Sequence, residues 1–526
     1  MIRLLLKAQA LQGEATPPAA APGITRRSFV KGLVSVGAAG IVSQAFPFTA
    51  KALAAAGGIQ PRIAVIGGGL AGLNAAYRLK QAGFSSKIYE ASNRLGGRVI
   101  SRAGLVGDDL MTDLGGELIN SDHRDMLKLA SKLKIPLFNK IRDAKRQKCP
   151  EECYYFDGRL RSEQEIASDL LGLAVRLATD AAFLDRDFKK YGPVMDAMSV
   201  EDYLDMHADK IHAPYIRTLI RSVIHTEYGV DPVDSSALQL IYSLPKADGK
   251  HADLLGKSDE MYTVMGGSEA IIHALKKNLD GQISFQKEVR AIRAKDDGYR
   301  LEFSEGEPVE SDYVVVALPF TVLQDVSLDA PVPDKLQKFI QTAKLGSNEK
   351  LLAGFNHKTW RREKIFSMGF WNDHGFDQVW DATQRQPEQK SGVLNFFMGG
   401  NRVTAAATGG VLACGENFVG RLDQIAPGAK ADANGQYFMT NWTEGRLTRG
   451  AYSSYRPGQL TEFREYFWVE SDHPEQRQAV HAGNLIFAGE QLSDEHFGYM
   501  NGAAQTGRLA ADFIMRSLIK SRKTGN

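Results

Sequence analysis

Cysteine is scarce in this 526-residue chain: Cys149, Cys153 and Cys414 are all it has. Three cysteines cannot staple a scaffold together, and a chain of this length fills two or three cores without them. Cys149-Pro-Glu-Glu-Cys153 leaves two readings open, a small disulfide in an oxidising compartment or two free thiols. No second Cys/His pair accompanies it, so no metal site is expected. An excess of either charge is also missing. Lys and Arg number 64, Asp and Glu 62, and the net charge is +2, which gives no footprint for nucleic acid. No uncharged apolar run reaches the roughly 18 residues a membrane span needs, so no transmembrane helix is expected. Internal repeats are absent.

What is present is a nucleotide fingerprint. Ile63 to Ile66 reads as a buried strand running into Gly67-Gly68-Gly69-Leu70-Ala71-Gly72, and a helical pattern continues to Leu79. That order of strand, Gly-x-Gly-x-x-Gly and helix is the context a dinucleotide site requires. Gly67 allows the tight turn, Gly69 a close approach of phosphate, and Gly72 close packing of helix on strand. The helix N-terminus offers free N–H groups and partial positive charge. A second strand, Ser86 to Glu90, ends in an acid at about the 20-residue spacing that suits a ribose hydroxyl.

Ahead of it lies an address. Thr25-Arg26-Arg27-Ser28-Phe29-Val30-Lys31, the mildly apolar Gly32–Phe46 and the alanine-rich Ala50–Ala56 resemble a twin-arginine export signal with an A-x-A-like cleavage site. Residues 1–56 are therefore expected to be signal and flexible N-terminus. The expected location is the periplasm, reached folded through the twin-arginine machinery.

Further along, helical spacing covers residues 122–134, 162–188, 199–226 and 234–243, with Leu170, Leu171, Leu173, Ala174, Leu177 and Ala178 on one side of the second. Strand-like runs at 283–292, 299–303 and 312–318 are expected to rejoin the nucleotide-binding sheet. Residues 345–400, with Trp360, Trp371 and Trp380, alternate as an antiparallel sheet. Asn484–Glu490 reads as a last strand and Gly502–Leu518 as a last helix.

Taken with four further motifs, roughly residues 60–515 resemble the flavin amine oxidase family of monoamine, polyamine and L-amino-acid oxidases. The motifs are Arg94-Leu-Gly-Gly-Arg98, Met265-Gly-Gly-Ser-Glu269 with Val289, Asn441-Trp442 through Gly450-Ala451-Tyr452, and Phe487-Ala-Gly489-Glu490 through Tyr499-Met500-Asn501-Gly502. The resemblance implies an α/β protein. A Rossmann-like FAD domain of the GR2 type, residues 57–125, 260–318 and 440–526, is interleaved with an α+β substrate domain. That second domain comprises a helical subdomain, 126–259, and an antiparallel sheet, 319–439. It implies FAD contacts at Gly67, Gly69, Leu70, Ala71, Gly72, Glu90, Arg98, Gly115, Gly116, Glu117, Val289, Trp442, Gly489, Glu490 and Met500.

The chemistry it implies is oxidative deamination. A hydride leaves the carbon alpha to nitrogen for flavin N5, and the imine hydrolyses to a carbonyl compound and ammonia. The amine must react neutral, and deprotonating an alkylammonium at neutral pH costs about 4 kcal/mol, a cost a dry aromatic pocket lowers. Tyr452 and Tyr499 occupy the positions of the two tyrosines that stand before the flavin and align the nitrogen. The residue where monoamine oxidases carry a flavin-bonded cysteine is Ala451, so FAD is expected to be non-covalent. The segment after Ala317-Leu318-Pro319 holds no lysine, its nearest match being Asp325, so a quinone joins oxygen as an expected acceptor. Glu117, Asn120 and His496 are motif-adjacent candidates for facing the substrate, Glu117 for reading a distal cation. The expected partners are a small amine or amino acid, the acceptor and the export machinery. A homodimer is among the assemblies compatible with the sequence. A desaturase or protoporphyrinogen-oxidase-like flavoprotein and a non-catalytic flavin-binding scaffold are the alternatives.

Overall fold

Four consecutive apolar residues, Ile63–Ile66, are wholly buried and form the third strand of a six-stranded sheet. The computed structural model describes residues 60–524 apart from 244, 248–250 and 255–257. The expected signal lies outside the described residues. Across the sheet run Ile283–Ser284, Lys87–Tyr89, Ile63–Ile66, Tyr313–Val316, Leu485–Phe487 and His481–Ala482. The first five strands are parallel and the last is antiparallel. Strands buried on both faces read as continuous apolar runs, as in a parallel sheet covered by helices. The helix Leu70–Gln81 covers one face. Against it packs the C-terminal helix Met500–Thr524, whose Ala504 carbonyl accepts from Asn74 Nδ2 at 2.6 Å. The approach is backbone to backbone: a Cβ on Gly507 would lie 2.1 Å from the Ala71 carbonyl oxygen.

Only part of the 283–318 region joins this sheet. Val289–Lys295 and Gly298–Phe303 pair with each other as a hairpin, flanked by Val309–Ser311 and Ser327–Asp329, in a separate four-stranded sheet. The largest sheet among the described residues has seven strands, in the order Ala433–Met439, Asn348–Phe355, Gly392–Gly399, Gln378–Asp381, Gly369–Asn372, Glu152–Phe156, Arg159–Arg161. Two corrections to the expected boundaries follow. Residues 152–161 lie in this sheet rather than in a helical subdomain, because Glu152–Phe156 pairs parallel with Gly369–Asn372. Residues 327–329, assigned to the substrate sheet, pair instead with the hairpin of the nucleotide half. Trp371 and Trp380 lie on strands of the seven-stranded sheet, while Trp360 lies on the short helix Thr359–Arg362.

The helical block begins at Glu163–Arg186, started by a capping box between Ser162 and Glu165. Leu170, Leu173, Ala174, Leu177 and Ala178 on its inner side are buried, and Leu171 partly so. The stretch 199–226 is two helices, Val200–Met206 and Pro214–Tyr228. Pro214 explains the break: it opens a helix well, but it drives the residue before it out of the helical region. Cys149, Cys153 and Cys414 are all free. No helix among the described residues is long and apolar enough to cross a membrane.

Candidate active site

The strand Ile63–Ile66 ends at Gly67, whose φ of +101° suits glycine and whose Cβ would lie 2.7 Å from the Ala317 carbonyl oxygen. Gly72 faces the loop from the helix, where a Cβ would meet the Gly67 carbonyl oxygen at 2.1 Å. Glu90 closes the second strand. Its Oε2 accepts the Gly68 amide at 2.8 Å, and its Oε1 accepts the Ser92 amide at 2.8 Å and hydroxyl at 2.7 Å.

From this loop a cavity of about 900 Å³ runs between the nucleotide sheet, the helical block and the seven-stranded sheet. That is the upper end of the size of small-molecule sites. Its wall contains Gly67, Gly69, Leu70, Ala71 and Glu90, then Arg98, Gly115, Gly116 and Glu117, then Val289, Trp442, Tyr452, Gly489, Glu490, Tyr499 and Met500. Of the cofactor and catalytic positions expected from sequence, only Gly72 lies off the wall, behind the loop. Asn120 and His496 are also off it. Asn120 braces the loop before Tyr262 through Ser258 Oγ, 3.0 Å, and the Glu260 amide, 3.1 Å. His496 packs edge-on against His123, which in turn packs against Tyr499.

The wall fits FAD. A Cβ on Gly69 would touch nothing within 4 Å, and the nearest atom to one on Gly97 is the Gly69 Cα, at 3.5 Å. Bare backbone therefore faces open space at the helix N-terminus, where a pyrophosphate would lie. Arg94 and Arg98 stand beside it. Arg98 Nη1 donates to the Ala451 carbonyl at 2.6 Å and to Glu490 Oε1 at 2.9 Å. Glu490 Oε2 accepts Ser453 Oγ and the Gly498 amide, both at 2.7 Å. This network ties the Arg94–Arg98 segment to both C-terminal motifs. Trp442 Nε1 donates to the Leu114 carbonyl at 2.9 Å, and Met500 packs on Gly116, so both cover the second glycine turn.

At the other end, one helix terminus holds both tyrosines. The Tyr452 hydroxyl donates to the Thr226 carbonyl, and the Tyr499 hydroxyl donates to Glu227 Oε2 at 2.8 Å. Burial, then the charge of Glu227, pushes the Tyr452 phenol well above its ordinary range, so it stays protonated.

Two features were not legible from the motifs. The segment after Ala317-Leu318-Pro319 holds no lysine, but lysines reach the wall from elsewhere: Lys287, and Lys350 from the strand Asn348–Phe355. Lys350 Nζ donates to Glu117 Oε2 at 2.7 Å, the Asp113 carbonyl at 2.9 Å and the Gly115 carbonyl at 3.0 Å. Asp325, the nearest match in the segment searched, pairs with Arg449 instead. The available signal was a run of polar and charged residues, Asn348-Glu349-Lys350, opening a strand buried throughout. Glu227 and Glu260 are the other omission, and nothing in the motif spacing marks them. Glu117, offered as a reader of a distal cation, is already paired with Lys350 and accepts Trp380 Nε1 at 3.3 Å.

Comparisons with known proteins agree with this geometry. The flavin containing amine oxidoreductase family profile matches residues 70–515. The chain is 24% identical to a probable flavin-containing monoamine oxidase A of Dictyostelium discoideum, over 88% of this chain and 98% of that one. It is 23% identical to an L-amino acid dehydrogenase of Synechocystis, over 86% and 94%. Among solved structures, putrescine oxidase bound to putrescine superposes with a TM-score of 0.70 at 21% identity, over 87% of this chain and 99% of that one. Cyclohexylamine oxidase from Brevibacterium oxydans superposes at 0.67 and 20% identity, over 88% and 100%. With the profile covering residues 70–515, the chain belongs to the flavin containing amine oxidoreductase family and is an FAD-dependent oxidoreductase acting on amines.

Proposed function

We propose that the protein oxidises the C–N bond of a small amine or L-amino acid, with Tyr452 and Tyr499 as the residues that hold the reacting nitrogen. The observation that carries this reading is that both tyrosines line the cavity that begins at the glycine loop. FAD, when bound, supplies the acceptor for the hydride removed from the alpha carbon. The chain's own residues do the rest. The faces of the two rings attract a cationic amine and still pack against a neutral one. Their hydroxyls are tied to Thr226 and Glu227, which fixes ring orientation before substrate arrives. The enclosed wall disfavours the alkylammonium form and so favours the reactive neutral amine.

The test is anaerobic mixing with monoamines, diamines and L-amino acids, following flavin bleaching. Tyr452→Ala and Tyr499→Ala are expected to slow bleaching by about 10-fold or more while FAD content holds. Unchanged rates in both variants remove the assignment.

Ala451 supports non-covalent FAD, expected to leave the protein on acid precipitation; a yellow pellet refutes it. Either oxygen or a quinone serves as acceptor in this proposal, and peroxide assay separates them. Thr25–Lys31 with the apolar stretch and alanine tract behind it supports twin-arginine export to the periplasm. A reporter fused to residues 1–60 is expected to be exported, and to stay in the cytoplasm once Arg26 and Arg27 are both replaced by Lys.

A further inference from the structure

The helix Pro214–Tyr228 gives the two tyrosines their partners from consecutive residues, Thr226 and Glu227. The residue just before them, His225, is buried and lies off the cavity wall. Its Nδ1 stands 3.0 Å from Asp377 Oδ1, and its Nε2 stands 3.0 Å from Asp231 Oδ1. A neutral imidazole has a single N–H to donate, and an ionised carboxylate only accepts. Two carboxylates on one ring are both satisfied only by the imidazolium.

The two acids come from different parts of the fold. Asp377 is buried and immediately precedes the strand Gln378–Asp381; it also accepts Arg402 Nε at 2.8 Å and the Gly399 amide at 3.1 Å. Asp231 is partly exposed in the loop after the helix, with its Oδ1 3.5 Å from the Asn401 amide. Arg402, from the helix Asn401–Ala407, is the cation facing this group. Burial opposes a charge on the ring, and so does Arg402, but Asp377 and then Asp231 outweigh them and hold His225 above its ordinary 6.5. The His225 carbonyl accepts the Gly229 amide at 2.9 Å and Asn348 Nδ2 at 2.8 Å. The turn under the tyrosines is thus bolted to the seven-stranded sheet, whose Lys350, Gln378 and Phe397 lie in the cavity wall.

We propose that His225, gripped by Asp231 and Asp377, is a positioning residue for amine oxidation: it fixes the turn from which Thr226 and Glu227 orient Tyr452 and Tyr499. The inference rests on the reading that these tyrosines hold the reacting nitrogen, and it adds a pH range over which they are held. Loss of the ring proton removes one N–H, so one carboxylate is left without its donor and the grip opens on that side. The grip is therefore complete at low pH and is lost as pH rises through the folded-state value, which lies above 6.5. The limiting rate of flavin reduction then falls on the alkaline side. A substrate amine losing its own proton gives the opposite slope, so the two effects separate.

The test is the limiting rate of anaerobic flavin reduction in the FAD-loaded protein, from about pH 6 to about pH 10, with butylamine or L-leucine, whichever bleaches the flavin faster. Asp231→Asn weakens the partly exposed side of the grip. It is expected to move the alkaline fall about one pH unit lower while FAD content holds, a shift that a merely structural role would not produce. No alkaline fall in the wild type, or a fall at the same pH in Asp231→Asn, overturns the role of His225 and leaves amine oxidation standing. Unchanged bleaching in both Tyr452→Ala and Tyr499→Ala, or no reduction by either substrate, overturns both readings. Nitrogen NMR of histidine-labelled wild-type protein needs neither turnover nor a variant. One ring with both nitrogens protonated above about pH 7 is expected, losing a proton over the range in which the rate falls. The absence of such a ring overturns the grip.

Discussion

Glu260 carries a stability cost that can be measured. Burial first, then the charges of Glu227, Glu152 and Glu117, with Lys140 opposing, push its carboxyl up to about 8 from an ordinary 4.5. Between those values the folded state keeps a proton that the unfolded chain has released. Stability due to this group therefore falls as pH rises from about 4.5 to about 8, and falls no further above. Glu260→Gln is expected to melt close to the wild type at pH 5 and about 2–4 °C or more above it at pH 8, by calorimetry. A gap that narrows with rising pH contradicts this account. Lys350 and Glu117 make the opposite case, since each buried charge satisfies the other. Lys350→Met strands Glu117 and is expected to cost about 3–5 kcal/mol, and adding Glu117→Gln should recover a good part. Denaturant melts of the two single variants and the double variant measure the coupling; additive losses would show that the pair is not a unit.

Among the elements, the junction of the glycine loop with the helix Leu70–Gln81 tolerates least. Gly72→Val drives side-chain atoms into the Gly67 carbonyl and Val65. It is expected to lower FAD content sharply and to lower the melting temperature, read by flavin absorbance and calorimetry; an FAD-replete Gly72→Val protein refutes the close-packing role. This junction was fully legible in the sequence, because strand, turn and helix signals are local and each restricts the next. The hairpin Val289–Phe303 was recognised as strands but assigned to the wrong sheet. Strand character is a local property, whereas the choice of partner depends on which edge is free in space. Glu152–Phe156 was missed for the same reason: its partner, Gly369–Asn372, is far away in sequence. Lys350 is not legible because the motif points to the segment after Ala317–Pro319, while Lys350 reaches the cavity from the seven-stranded sheet. Glu227 and Glu260 lie in a helix and a loop whose sequence pattern reports packing alone, so only the folded cavity distinguishes them from surface acids.

At the scale of the whole molecule, the cavity is assembled from the far ends of the chain. Ile66–Arg98 supplies one wall and Asn441–Ala503 another, and Arg98 is tied to Glu490 across them. The C-terminal helix braces the glycine-loop helix through Asn74, through the Ala71–Gly507 contact and through Arg78 with Asp512 at 2.9 Å. A chain cut after Tyr499 is expected to bind no FAD and to show a broad, low melt. Flavin retained by that truncation would mean the helix is dispensable. The brace also sets a timetable. Synthesis runs from the N-terminus at about 5–20 residues per second, so the glycine loop leaves the ribosome long before the helix that supports it. A nascent chain that still lacks this helix is expected not to retain the flavin. Loading is expected to follow the emergence of that helix, so the free FAD present then, rather than when the glycine loop emerges, sets how much enzyme becomes competent.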